Sequence, residues 1–185
     1  MPMDEMAKLK QQMEKTVEHL KSEYLGIRTG RAHPALVEEI KVDYYGSQTP
    51  VKQMGSVTVP DPRQLLITPW DKTALKAIEK GILASSLGVT PVVDGEVIRL
   101  TLPELTRQRR IDLTKLVRKY GEEAKVALRN VRRDCLETLK KMEKDSVISE
   151  DELRRYQKEI QDATDDFSKK VEAVQAQKEK EILED

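Results

Sequence analysis

Apolar side chains recur at steps of three and four along three long stretches of the chain. The stretches are approximately residues 4–27, 105–142 and 149–183. This spacing places the apolar positions on one face of an α-helix, so the pattern predicts three long amphipathic helices. Gly30 is the predicted C-cap of the first helix, and Ser149 with Glu152 forms a capping-box pattern at the start of the third. Narrow apolar stripes bury best against one another, which favours a three-helix bundle whose second and third helices are antiparallel.

The chain between the first two helices has a different pattern. Residues 31–104 contain seven of the eight prolines and five of the eight glycines. Short alternating segments predict strands over 40–44, 56–59, 64–68 and 92–100, the last a hairpin that turns at Asp94-Gly95. A short helix is predicted over residues 71–86, with Asp71 as its N-cap. We therefore predict an α+β protein, in which residues 1–30 and 105–185 form a discontinuous bundle and residues 31–104 form an inserted β/α/β domain.

The chain passes between the two predicted domains twice, near residues 28–34 and 100–105. Gly30 and the prolines at 34 and 103 interrupt regular structure at these points. Two parallel connections permit rotation while they limit separation, so the crossings are candidate hinges. Ordinary boundary loops that are held rigid by their contacts are the alternative.

The overall charge of the chain does not indicate a binding partner. Basic and acidic residues balance at 33 each, so the formal net charge is zero, although 36% of the residues are charged. A neutral chain has no general attraction to nucleic acid or membrane. The single cysteine, Cys135, indicates a reducing compartment. Because no apolar run resembles a signal peptide or reaches the length of a membrane span, we expect a cytoplasmic protein with no membrane partner.

Catalytic chemistry is not evident in the sequence. The two histidines, His19 and His33, fall on a predicted helix and a predicted loop, and Cys135 occupies an apolar stripe position that is typical of a buried side chain. Neither a Walker A nor a GxGxxG pattern is found. We therefore predict that the protein is not an enzyme and binds no metal or other cofactor.

Basic side chains are gathered on one flank of the second predicted helix. On a wheel of about 3.6 residues per turn they lie off the apolar stripe, and acidic residues occupy another flank. The basic flank consists of Arg118, Lys125, Arg129, Arg132 and Arg133. Because an arginine fork suits phosphate, the flank is a candidate site for structured RNA that is bound by phosphate and shape.

Arg28 and Arg31, at the end of the first predicted helix, can extend this basic surface if that helix runs antiparallel to the second. The sequence leaves that register open. A structural alternative also stays open, in which the acidic flank pairs with lysines of a neighbouring helix and the basic flank is merely solvated.

Four segments give these patterns a family context. They are IRTGRAHPALVEEIKVDYYG, TPVKQMGSVTVPDPRQLLITPWDK, ASSLGVTPVVDGEVIRLTLPELT and LRNVRRD. With their order and spacing, the chain resembles the bacterial ribosome recycling factor family over its full length. The departures are small, since Gly55 and Cys135 stand where other small residues are expected.

The resemblance implies an L-shaped protein, in which a long three-helix bundle carries a small β/α/β domain through two hinge segments. It implies binding to the 50S subunit after termination and separation of the subunits together with elongation factor G. Elongation factor G uses the GTP and contacts the inserted domain, so the chain itself needs no cofactor. We expect a monomer.

Particular residues follow from the resemblance by position. Arg132 is the first candidate contact to large-subunit rRNA, with Arg129 beside it, and Arg133, Arg28 and Arg31 fit the same pattern. The implied hinge residues are Gly30, Arg31, Pro103, Glu104 and Leu105.

Two other functions remain open on the residues. One is a non-ribosomal RNA-binding arm, such as a tRNA-recognition module, which would prefer tRNA over 50S subunits. The other is a coiled-coil adaptor for a partner helix, whose binding would persist at high salt, whereas phosphate binding falls steeply with salt.

Overall fold

The structure, a computed structural model, describes residues 1–184. Its α-helices are α1 Pro2–Leu25, α2 Ala35–Glu38, α3 Leu75–Ala84, α4 Arg107–Lys144 and α5 Glu150–Glu184. Its strands are β1 Lys41–Tyr44, β2 Ser47–Pro50, β3 Gly55–Asp61, β4 Gln64–Pro69, β5 Val92–Asp94 and β6 Val97–Thr101. Three long helices together with a small set of strands confirm the predicted α+β class.

The chain divides into two compact units. The helical unit comprises Met1–Tyr24 and Thr114–Glu179, and the sheet unit comprises Leu25–Leu113 together with the chain from Lys180 onwards. Both α4 and α5 contribute residues to each unit. The domain boundaries inferred from composition, 1–30 with 105–185 and 31–104, stay a prediction.

In the helical unit, α1 runs antiparallel to α4. The Tyr24 hydroxyl donates a hydrogen bond to the Val117 carbonyl at 2.7 Å, and the Cys135 thiol lies 3.8 Å from the Glu5 carbonyl oxygen. The predicted stripe of α1 is buried at each of its positions from Met6 to Tyr24. The stripe of α4 is less complete, since Tyr120, Val131 and Met142 are only half-buried.

The start of α5 follows the predicted capping box. The Glu152 amide donates to Ser149 Oγ at 3.1 Å, and the Ser149 hydroxyl donates to Glu152 Oε1 at 3.3 Å. These bonds satisfy an amide that has no partner within the first turn of a helix.

The sheet unit is built on an antiparallel sheet of strand order β3-β4-β6-β5. Ile67 of β4 stands opposite Ile98 of β6, and both are fully buried. Gly95 has a φ of +64° in the β5–β6 turn, which confirms the predicted tight hairpin. The core of this unit also includes Val42 of β1 and Ile78 of α3.

Some local expectations were wrong. Gly30 does not cap α1, because the helix ends at Leu25 and Gly30 lacks the positive φ of a left-handed cap. The helix predicted over 71–86 begins as a 3-10 turn at Lys72–Ala74, and α3 proper starts only at Leu75. Asp71 caps that turn by accepting a hydrogen bond from the Thr73 amide at 3.0 Å. Two elements, β2 and α2, were missed because β2 is a short, polar segment and α2 spans only four residues.

The buried hydroxyl of Tyr24 gives the helical unit a measurable response to high pH. Burial, with the negative charges of Glu179 and Glu23, raises the pKa of Tyr24 from 10.0 to about 12. Because the unfolded tyrosine loses its proton first, the hydroxyl stabilises the fold below about pH 10, and this contribution is lost as the pH rises to about 12. We expect Tyr24→Phe to cost about 1 kcal/mol at neutral pH, and this deficit to shrink above about pH 10.

Urea unfolding of wild type and variant, followed from neutral pH to about pH 12, measures this deficit. Tyr44, whose pKa is also raised to about 12 by its hydrogen bond to Asp71, titrates in both proteins and cancels from the comparison. A deficit that stays constant over this range would contradict the role given to Tyr24.

Candidate nucleic-acid interface

Arg118, Lys125 and Arg132 form a line along α4, because each lies seven residues after the one before it. Seven residues are almost two turns of an α-helix, so side chains at this spacing share one flank. The alignment in the structure agrees with the basic flank predicted from the sequence. We call these three residues the basic line.

Two members of the basic line are paired with α5. Arg118 Nε lies 2.9 Å from Glu179 Oε1, and Lys125 Nζ lies 3.1 Å from Glu172 Oε1. The two glutamates are also seven residues apart, which fits an antiparallel pair of helices in heptad register. Each pair is exposed to solvent on one side, so each contributes only about 0.2–1 kcal/mol.

Arg132 is the exception in this series. The same register places it opposite Asp165, but a carboxylate on an aspartate is one methylene shorter than on a glutamate. Asp165 Oδ1 instead accepts a hydrogen bond from the Gln161 amide at 2.9 Å. Within residues 1–184, Arg132 makes no ion pair and no side-chain hydrogen bond, and it is half-buried beside the bundle. Its guanidinium donors are therefore not engaged by any group of the described residues.

Arg129 and Arg133 lie further round α4 and are exposed. Arg129 Nη1 is 3.4 Å from Glu122 Oε1 on the same helix, and Arg133 Nη2 is 3.6 Å from Asp134 Oδ1. Pairs at such distances in solvent are weak and exchange easily for another anion. The structural alternative expected a merely solvated basic flank, whereas two members of that flank, Arg118 and Lys125, pair with a neighbouring helix.

Arg28 and Arg31 belong to the sheet unit, as do the predicted hinge residues. The Arg31 amide donates to Thr29 Oγ1 at 3.2 Å in a local turn between α1 and α2. Pro103 and Glu104 are exposed in the segment between β6 and α4, whereas Leu105 is buried.

The cysteine and the histidine side chains show no feature of a catalytic or metal site in the described part of the chain. Cys135 is buried, and burial raises the pKa of its thiol to about 11, which keeps it protonated and unreactive at neutral pH. His19 Nε2 lies 3.2 Å from Glu23 Oε1 on the exposed side of α1. Over residues 1–184, His, Cys, Asp and Glu side chains do not gather in a group that suits a metal ion. In that same part of the chain, α1, α4 and α5 are long enough to cross a membrane but too polar to do so, and the other helices are too short.

The sequence analysis did not identify the acidic residues of α5 that determine which basic side chains of α4 are paired. Asp165, Glu172 and Glu179 recur at the same seven-residue spacing as the basic line. This repeat could have predicted the two ion pairs between α4 and α5, Arg118–Glu179 and Lys125–Glu172, which we call the ladder. Arg63 and Arg109, whose charges act on Arg28 in the sheet unit, were also missed.

Comparisons with known proteins agree with this fold. A family model described as "Ribosome recycling factor" matches residues 20–183. The ribosome-recycling factor of Lawsonia intracellularis is 52% identical over 94% of this chain and 93% of its own length, and that of Geobacillus kaustophilus is 53% identical over 95% of both chains.

Two solved structures are similar as well. A solution structure of the ribosome recycling factor matches with a TM-score of 0.76 and 45% identity, over 98% of this chain and 97% of its own. A model of the Thermus thermophilus ribosome recycling factor, presented with Escherichia coli elongation factor G bound to the post-termination complex, matches with a TM-score of 0.68 and 45% identity over 99% of both chains. With a family model that covers most of its length and relatives at more than half identity, the chain belongs to the ribosome recycling factor family.

Proposed function

We propose that this protein binds the 50S subunit of post-termination ribosomes and, together with elongation factor G and GTP, separates the subunits for a new round of translation. Family membership supports this role, and the similar structure presented with elongation factor G on a post-termination complex supports the partner. The GTP is consumed by elongation factor G, so this chain acts without a cofactor. We expect it to work as a monomer in the cytoplasm.

Arg132 carries the proposal for RNA contact. Its neighbours on the basic line, Arg118 and Lys125, are engaged by glutamates of α5, whereas the Arg132 guanidinium has no ion pair among the described residues. An arginine without an ion pair can bind a phosphate diester without first giving up a carboxylate. Arg129 and Arg133, whose exposed ion pairs are weak, exchange their carboxylates for further phosphates of the large-subunit rRNA.

The inserted strands and α3 then provide the part on which elongation factor G acts. The segments at Gly30–Arg31 and Pro103–Leu105 lie outside helices and strands, which supports their role as hinges. Movement of the inserted domain (residues 31–104) about these segments, with the helical bundle anchored on rRNA, would transmit force between the subunits.

Subunit splitting with purified 70S ribosomes, elongation factor G and GTP tests the function directly. We expect light-scattering loss when all components are present and none when GTP is replaced by a non-hydrolysable analogue. Preference for free tRNA over 50S subunits would favour an RNA-binding arm of another kind, and binding that persists at high salt would favour a coiled-coil adaptor.

The length of the side chain at position 165 should tune this interaction. We expect Asp165→Glu to extend the ladder, because the longer carboxylate reaches Arg132 as Glu172 reaches Lys125. The new ion pair competes with rRNA phosphate for the same guanidinium and contributes about 0.2–1 kcal/mol. Affinity for 50S subunits should therefore fall by about 1.4- to fivefold, as measured by pelleting or fluorescence anisotropy.

Asp166→Glu is the matched control, since it makes the same chemical change at the neighbouring exposed position. It should leave the affinity unchanged. Equal effects of the two substitutions would show that the register does not bring residue 165 to Arg132.

A further inference from the structure

Four arginines of the sheet unit come from three separate segments of the chain, and the charges of three of them act on the fourth, Arg28. They are Arg28, Arg63, Arg109 and Arg110. The Ala32 amide donates to the Pro62 carbonyl at 2.7 Å, which brings the segment after α1 to the turn between β3 and β4. The Leu102 amide donates to the Arg63 carbonyl at 2.7 Å, which ties that turn to the segment before α4.

Arg28 occupies an unusual position within this cluster. Its Nε and Nη2 atoms are both buried, and neither has a hydrogen-bond partner within residues 1–184. These two nitrogens form the edge of the guanidinium that binds two oxygens of one anion in parallel. Burial, followed by the positive charges of Arg109, Arg63 and Arg110, lowers the pKa of the Arg28 side chain. A buried cation beside like charges is unfavourable unless an anion joins it.

The other three arginines of the cluster differ in their contacts. Arg110 is engaged by backbone, since its Nε lies 3.4 Å from the Leu105 carbonyl and its Nη1 donates to the Ile182 carbonyl. Arg63 and Arg109 are exposed, and in the described part of the chain the Arg63 side chain makes one long hydrogen bond of 3.4 Å, from its Nε to the Leu102 carbonyl. Their guanidinium groups can therefore turn toward an anion held by Arg28.

Within residues 1–184, no carboxylate makes a hydrogen bond to the buried edge of Arg28. Asp61 lies two residues before Arg63 in the sequence, and its Oδ1 accepts a hydrogen bond from the Arg63 backbone amide at 3.0 Å. The buried edge of Arg28 is not among its contacts. A phosphate group, by contrast, offers several acceptor oxygens and a full negative charge in a compact tetrahedron.

We propose that Arg28, Arg63 and Arg109 form a binding site for a single phosphate group, in which the buried edge of Arg28 makes the two-point contact. Arg63 and Arg109 close over the phosphate as charge contacts, and Arg110 holds the start of α4 in place. The phosphate is either a phosphodiester of RNA or a free phosphate ion. Only the RNA source rests on the proposed function, because the anion site is independent of the basic line on α4.

Thermal unfolding in a phosphate titration, with chloride keeping the ionic strength constant, tests the site. With phosphate about tenfold above its dissociation constant, the melting temperature of the wild type should rise on the order of 3–5 °C. Arg28→Gln should lose this rise, and without phosphate it should melt no lower than wild type because an unpaired buried charge has been removed. Arg28→Lys, which keeps the charge but lacks the fork, should lose most of the rise.

Arg99→Gln is the control, since Arg99 belongs to the same unit and pairs with Asp94 at 3.3 Å. It should respond to phosphate as wild type does. Should Arg28→Gln fail to fold, Arg63→Gln replaces it, because an exposed arginine can be changed without loss of the core, and it should halve the response. A full phosphate response in these variants, or none in wild type, overturns the site.

Binding to 50S subunits identifies the source of the phosphate. If Arg28→Gln loses both the phosphate response and affinity for 50S subunits, the ligand is an RNA phosphodiester. If it loses the phosphate response alone, the ligand is a free phosphate ion. Failure of the proposed function appears separately, as a wild type that does not bind 50S subunits whatever its response to phosphate.

Discussion

Replacing Arg132 with alanine should weaken binding to 50S subunits by about ten- to a hundredfold, because a charge-assisted hydrogen bond contributes about 1.5–3 kcal/mol. The loss should be large for one surface residue, since the Arg132 guanidinium has no ion pair to give up within the described chain. The slope of affinity against salt should flatten by about one unit, as expected when one phosphate contact is removed. Splitting by elongation factor G and GTP should decline in parallel.

The fold should survive this substitution, and the melting temperature should move by no more than about 2 °C. Arg154→Ala is the matched control, because Arg154 is exposed and paired with Glu150 at 2.9 Å near the start of α5. It should leave 50S affinity and splitting intact. Wild-type affinity in the Arg132→Ala protein would remove the basic line from the proposal.

Replacing Leu128 with alanine should have the opposite effect, with a large cost in stability and no direct effect on phosphate binding. Leu128 is 1% exposed and lies on α4 between the two ion pairs of the basic line and Arg132. A leucine-to-alanine change in a packed core costs about 2–5 kcal/mol, because it removes buried apolar surface and leaves a cavity. Urea unfolding followed by far-UV circular dichroism, which reports mainly on the long helices, measures this cost.

Val126→Ala provides the comparison for Leu128, since Val126 lies two residues away on the same helix and is 43% exposed. Its cost should stay within about 0.5 kcal/mol. At temperatures where Leu128→Ala remains folded, its affinity for 50S subunits should equal that of wild type. Similar costs for the two substitutions would contradict the assignment of the α4 stripe.

Much of the fold was predictable because long helices repeat one simple signal. The stripe of α1 and the capping box at Ser149 both follow from local spacing, and each is found in the structure. The end of α1 was misjudged at Gly30, since a glycine marks a cap only when the backbone turns left-handed there. The segment that forms β2 is largely exposed and pairs with β1. Its apolar pattern therefore did not indicate a strand.

The sequence predicted which basic residues form the candidate site, but not which of them are already engaged in ion pairs. A wheel placed Arg118, Lys125 and Arg132 on one flank, yet it treated them as equivalent. Their difference arises from the register between α4 and α5, which a single helix cannot reveal. The assembly around Arg28 was equally hard to predict, because it depends on backbone hydrogen bonds between residues that are 30 and 39 positions apart in sequence.

The aspartate opposite Arg132 also has a genetic consequence. Codons for aspartate and glutamate differ only in their third base, so one point mutation at position 165 would convert the unpaired arginine into a paired one. Under the proposed function, a single nucleotide substitution would therefore lower the affinity of α4 for rRNA. Selection for faster release from ribosomes could favour Asp165→Glu, which alters no basic residue.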